Sequence, residues 1–153
     1  MKKTVTAALA LVCMLAGCGS DTSAAATASA NDAANALKEE LGGNFSEEDA
    51  AVITKLLGVE DGDIKDAKAY LDNDNNARMI IVVEAADEDK ALYVSDRMDY
   101  YVTTLEKSAG MYNPEQLELI DGAYIYTKGN YSILAIADDP AAVKKAVAAL
   151  KLE

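Results

Sequence analysis

Asp72, Asp74 and Asn76 stand at the first, third and fifth positions of a calcium-loop pattern, where side-chain oxygens alternate around a hard cation. The pattern then breaks. Ala77 occupies the position that needs glycine, and the twelfth position is Val83, with Glu84 one place late. The segment therefore reads as an acidic turn between strands, with weak Ca²⁺ binding at millimolar level as the alternative. Tyr93, Arg97 and Tyr100 are spaced i, i+4 and i+7, which puts them on one side of a helix. Such a surface has cation–π character and suits a sugar or a protein partner. The plainer reading is an amphipathic stripe, with Arg97 paired to Asp96, Asp99 or a more distant Glu. Tyr124, Tyr126, Lys128 and Tyr131 form a second candidate surface, since Tyr offers a large contact area with a polar tip. Glu84, at the end of an apolar strand, is the least poor candidate for a carboxylate raised in pKa for glycosidase-type hydrolysis.

The remaining chemistry is limited by what is missing. The 153 residues contain no His and no Trp, which excludes His general bases, Ser-His or Cys-His catalysis and His-ligated metals. With 26 Asp and Glu, two carboxylates lie close by chance, and Glu47-Glu48-Asp49 and Asp87-Glu88-Asp89 are explained by helix N-termini. A formal net charge of −12 is a poor match to phosphate backbones, so no nucleic-acid partner is expected. No cofactor, no catalytic residue and no built metal site is expected either.

Cys18 carries the most specific chemistry. Lys2 and Lys3 form a basic start, and Val5 to Ala16 is an apolar run interrupted only by Thr6. The run is shorter than the roughly 20 residues of a spanning helix. It ends in Leu15-Ala16-Gly17-Cys18, which resembles the bacterial lipobox. There the thiol is alkylated by a diacylglyceryl group and cleavage between Gly17 and Cys18 makes the cysteine the first mature residue. Cys13 is discarded with the signal, so the mature chain has neither a free thiol nor a disulfide and depends on packing alone. Losing the two lysines takes the charge from −12 to −14, and acyl chains such as palmitate, not electrostatics, must hold the protein at the membrane. Residues 18–31 are small and polar, a lipidated flexible tether with a reach of roughly 20 Å.

Residues 32–153 form one α+β domain, too small for the two closing lobes of a transporter's solute-binding protein. Two helices come first: Asp32 to Leu41, ended by Gly42-Gly43, and a second capped by Ser46 and ended by Gly58. Ile64 to Leu71 and Met79 to Val83 are strands joined by the acidic turn. The second is apolar on both sides and so central. Asp87 to about Ser108 is the longest helix, with Gly110 as its terminator and a new segment beginning at Asn113-Pro114. Gly129-Asn130 is the two-residue turn of a hairpin between 123–128 and 131–137. Its register puts Ala123, Ile125, Leu134 and Ile136 on one face, and the Tyr124, Tyr126, Lys128 and Tyr131 set on the other. A last helix begins at Asp138-Asp139-Pro140. The expectation is a four-stranded, mostly antiparallel sheet in ββαββα order, with both later helices on one face. The two N-terminal helices are the available cover for the second face. If they cover the Tyr set it is core, and if they do not it is an interface. Ala69-Tyr70-Leu71 and Ala123-Tyr124-Ile125 echo one another weakly, as duplicated units would.

Tyr93-Val94-Ser95-Asp96-Arg97, Tyr112-Asn113-Pro114-Glu115-Gln116 and Lys128-Gly129-Asn130-Tyr131, behind a lipobox, carry a resemblance. The chain resembles an uncharacterised family of small lipoproteins from low-GC Gram-positive bacteria, domain of unknown function 4358, over roughly residues 45–150. The resemblance implies an extracytoplasmic, membrane-anchored lipoprotein and supplies no catalytic residues. The expected function is a non-enzymatic binding or interaction module of the cell envelope, with an envelope protein or ligand as partner. A small ligand- or calcium-binding lipoprotein is the alternative, and a carboxylate-based envelope hydrolase is a remote one.

Overall fold

The computed structural model describes residues 28–74 and 76–152. Helix α1 (Ala30–Leu41) begins two residues before the expected Asp32, because Ser29 caps it. The Ser29 hydroxyl oxygen accepts the Asp32 N–H at 3.1 Å and the Asp32 carboxylate accepts the Ser29 N–H, a reciprocal capping box. Strand β1 (Phe45–Glu48) replaces the expected start of the second helix. Asp49, not Ser46, is the cap of α2 (Ala50–Leu57), and it accepts the N–H groups of Ala51 and Val52. Residues 45–48 are drawn into the sheet by partners remote in sequence. Phe45 lies against the Tyr70 ring at 6.4 Å between centroids, Glu47 is ion-paired with Lys68, and Ser46 donates to the Leu71 carbonyl.

The central strands follow the expectation. β2 (Ile64–Asp72) and β3 (Met79–Ala85) form an antiparallel pair around the acidic turn. Helix α3 (Glu88–Tyr112) passes straight through Gly110. One glycine costs a helix only about 1 kcal/mol, too little to end it. The stop is Asn113, whose residue-before-proline position disfavours helical backbone. A single 3₁₀ turn and a short helix α4 (Leu117–Asp121) lead to β4 (Tyr124–Lys128) and β5 (Tyr131–Ile136). The hairpin has the expected register, with Lys128 opposite Tyr131 and Gly129 at a φ of 52°. Helix α5 (Pro140–Ala149) closes the fold, capped by Asp139.

The sheet therefore has five strands, not four, in the order β1-β2-β3-β5-β4 with every neighbouring pair antiparallel. One helix precedes it, not two. The helices also divide differently from the expectation. Helices α2, α3 and α4 cover one face, packing Ile53, Leu57, Val94, Met98 and Ile120 on Ile81, Val83 and Leu134. Helices α1 and α5 cover the other, packing Leu37, Val143 and Val147 on Ile80, Val82 and Ile133. The two later helices, α3 and α5, thus lie on opposite faces. A duplicated strand-strand-helix unit related by a dyad normal to the sheet would put them on the same face, so the sequence echo has no matching symmetry.

The sheet is tied to α3 by two polar contacts. Ser132, fully buried, donates to the Ala91 carbonyl at 2.6 Å. Asp63 is buried just before β2, where it accepts the Glu60 N–H at 3.0 Å and pairs with Lys90 at 2.5 Å. Lys90, then the Glu60 amide, hold the Asp63 carboxyl below its ordinary pKa, against the effect of burial. Asp63 in turn holds the Lys90 ammonium above its own. A depressed carboxyl pKa means stability that is present above the ordinary aspartate range and is lost as pH falls through the folded-state value. A raised ammonium pKa means stability that is lost only as alkaline pH passes the folded-state value. Asp63→Asn is therefore expected to lower the urea midpoint at neutral pH, with the gap to the native chain closing as the pH drops below the aspartate range. A gap that stays constant down to that acidity would contradict this account.

Candidate functional site

The lipid-attachment and cleavage residues Gly17 and Cys18 and most of the tether lie outside the described residues. On α3, Tyr93 and Tyr100 are exposed, 41% and 59%, as a helical stripe requires. Arg97 lies between them, its guanidinium 4.8 Å from the Tyr100 ring centroid. It pairs with none of the carboxylates considered from sequence. Its Nε donates to the Leu57 carbonyl at 2.8 Å, satisfying the C-terminal end of α2. It also lies over Gly58, whose φ of 66° and open Cα leave room for the guanidinium. Arg97 is thus a clamp between α2 and α3, flanked by two accessible rings.

The hairpin surface is mainly core. Tyr131 is 5% exposed, and Tyr124 and Tyr126 are half-buried in the layer under α5. The rings of Tyr124 and Tyr126 stack at 6.3 Å, with the Lys144 ammonium over Tyr124. Lys128 donates to the Leu152 carbonyl. The cover comes from α5 over the hairpin and α1 over β2 and β3, not from a pair of N-terminal helices. Glu84 sits opposite Tyr131 in the register, is ion-paired with Lys65, and faces Asp66 across β2. Burial and then the Glu84 charge push the Tyr131 phenol up in pKa. The result is a transverse row, Asp66-Glu84-Tyr131-Lys128, in which Glu84 is engaged by both Lys65 and the Tyr131 hydroxyl.

At the acidic turn the three calcium candidates do not converge. Asp72 has its side chain fully buried, with one oxygen accepting the Asp74 N–H at 2.6 Å and the other the Arg78 Nε at 2.8 Å. Asp74 instead accepts from the Asn44 amide. Among the described residues, no group of three or more His, Cys, Asp or Glu is placed to hold a metal ion. Asn76 turns the other way, and its Oδ1 is buried without a hydrogen-bond partner. An orphaned acceptor of this kind costs about 1–3 kcal/mol.

Asn76 stands at the wall of a cleft of about 260 Å³ between the β2–β3 turn, the C-terminal half of α3 and the segment after it. Leu71, Met79, Leu105, Ala109 and Ile120 supply apolar lining, and Tyr101, Ser108, Asn113 and Gln116 bring hydroxyl and amide groups. Arg78 spans the cleft's edge, since its Nη1 also bonds Asp138 at 3.1 Å. Burial works against the guanidinium charge, but Asp72 and Asp138 outweigh it and hold its pKa above the ordinary value. Burial raises the Tyr101 phenol, which stays neutral and able to donate. Neither Tyr101 nor Arg78 stands out from the sequence as a site residue, although Arg78 is one of only two arginines and adjoins the acidic turn. Asn113 and Gln116 belong to the Asn-Pro-Glu-Gln segment already singled out for its family likeness.

A family model described as domain of unknown function (DUF4358) matches residues 25–137. No curated protein and no solved structure matches the chain.

Proposed function

The chain belongs to the DUF4358 family, and on that premise we propose that it is a membrane-anchored, extracytoplasmic lipoprotein acting as a non-enzymatic binding module of the cell envelope. The anchor reading rests on the order Lys2-Lys3, apolar run, Leu15-Ala16-Gly17-Cys18. The binding reading rests on one observation. Of the six exposed large hydrophobic residues among those described, Leu92, Tyr93, Tyr100, Met111 and Tyr112 all lie on α3, with only Val52 elsewhere. Scattered singly they would need no explanation, and their concentration on one helix supports reading α3 as the contact surface. Both sheet faces are already covered by helices, which favours α3 over the hairpin tyrosines as the surface for a partner.

Crosslinking and co-purification of the protein from its own membranes test this reading. Replacing Tyr93 and Tyr100 together by alanine is expected to cut partner recovery about tenfold or more, as loss of aromatic anchors does at interface centres. The thermal midpoint should stay close to that of the native chain, because both rings are solvent-exposed. Undiminished recovery would remove α3 from the interaction. The alternative, a small-ligand-binding lipoprotein, is favoured by the cleft beside Asn76. In its calcium form it is disfavoured by the Asp72 oxygens, which are both already engaged.

A further inference from the structure

Among the described residues that line the cleft, the charged ones are Asp72 and Arg78, which pair with each other; Asp138, outside the lining, takes a further guanidinium nitrogen. No unmatched charge on the lining selects an anion or a cation. Beside them stand groups that both donate and accept: the hydroxyls of Tyr101 and Ser108 and the amides of Asn76 and Asn113. They border an apolar floor that includes Met79 and Leu105. Ligand hydroxyls have the same dual hydrogen-bonding character, and the C–H face of a pyranose ring is apolar. At about 260 Å³ the cleft is smaller than the 300–1,000 Å³ of typical drug-sized sites and suits a single ring.

We propose that this cleft binds one uncharged sugar ring, with Asn76 turning its amide about the Cβ–Cγ bond to pair with a ligand hydroxyl or amide. The proposal stands on the cleft alone and is independent of the α3 surface. Turning the amide brings its Oδ1, which is buried without a partner, within reach of a ligand donor.

The test uses the full chain in detergent, titrated calorimetrically with N-acetylglucosamine, with its β-1,4-linked tetramer, and with an end-blocked alanine tripeptide. Saturable binding of either sugar probe is expected. A tighter fit to the tetramer marks a glycan chain as the source, and equal affinity marks the free sugar. Asn76→Ala is expected to weaken sugar binding about tenfold, the equivalent of one good hydrogen bond, while its thermal midpoint without ligand is equal to or above the native value. Ser108→Ala, at an exposed position, is expected to weaken binding in the same direction, and Glu39→Ala, exposed on α1, to leave it unchanged. Absence of saturable sugar binding would overturn the proposal. So would native affinity in Asn76→Ala, or preference for the tripeptide.

Discussion

Alanine at Ile81 is expected to lower the unfolding free energy by about 2–5 kcal/mol. Ile81 is fully buried in the middle of β3, opposite Ala69 on one side and Leu134 on the other. Its side chain belongs to the layer that includes Val94 and Met98 of α3. Removing three carbons there loses their transfer free energy and leaves a cavity that a sheet held on both flanks has little freedom to close. A domain of this size has about 5–15 kcal/mol in total, so the loss is a large fraction of it. Ile80→Ala is the informative companion. Ile80 is equally buried but lies in the other layer, with Leu37 of α1 and Val143 of α5. The two layers share only the sheet, and adjacent residues of β3 are what join them. If the domain is one cooperative unit, both variants move the urea midpoint down by similar amounts with a single transition and an unchanged slope. A two-step transition in Ile80→Ala alone would mean that α1 and α5 come off separately.

The parts of this fold that were legible in the sequence are those whose signals are local and strong. Gly129-Asn130 between alternating strands fixes the hairpin register, and with it the face shared by Tyr124, Tyr126 and Tyr131. The apolar run from Met79 announces a strand covered on both sides. The strand β1 was not legible. Phe45-Ser46-Glu47-Glu48 has the composition of a helix start, and its assignment is decided by Tyr70, Lys68 and Leu71, more than twenty positions away. The division of helices between faces was hidden for a related reason. A central strand that is apolar on both faces gives no preference, so the pattern alone cannot say which side α2 or α5 takes. The cleft shows the same limit. Its walls come from the β2–β3 turn, α3 and the Asn113–Gln116 segment, which read alone as turn, helix and the start of a new segment. Nothing in the spacing of Asp72 and Asp74 reveals that Arg78 and Asn44 already occupy them.

Cys18→Ala is expected to abolish acylation entirely and to leave a precursor that still carries its signal. The thiol is the only atom in the Leu15-Ala16-Gly17-Cys18 segment able to form the thioether, so no neighbouring residue substitutes for it. The physical consequence follows from what else could hold the protein at a membrane. No helix among the described residues is long and apolar enough to cross one. A net charge of −12 repels the chain from anionic headgroups, in place of the attraction of about 1 kcal/mol that each basic residue gives near such a surface. Acyl chains contribute about 0.8 kcal/mol per buried CH₂, and two chains give stable anchoring where one is marginal. Labelling cells with an alkyne analogue of palmitate reads the first step directly, and label retained in Cys18→Ala would refute the assignment. Because the uncleaved apolar run could itself adhere to the bilayer, a second chain is needed, one that begins at Gly19 behind a signal cleaved without lipidation. That chain should leave the membrane fraction at low salt, with its thermal midpoint unchanged, since it keeps every residue of the described fold, which begins at Ala28. If it stays in the membrane fraction, the anchor lies in the folded domain and the lipid is not what holds it.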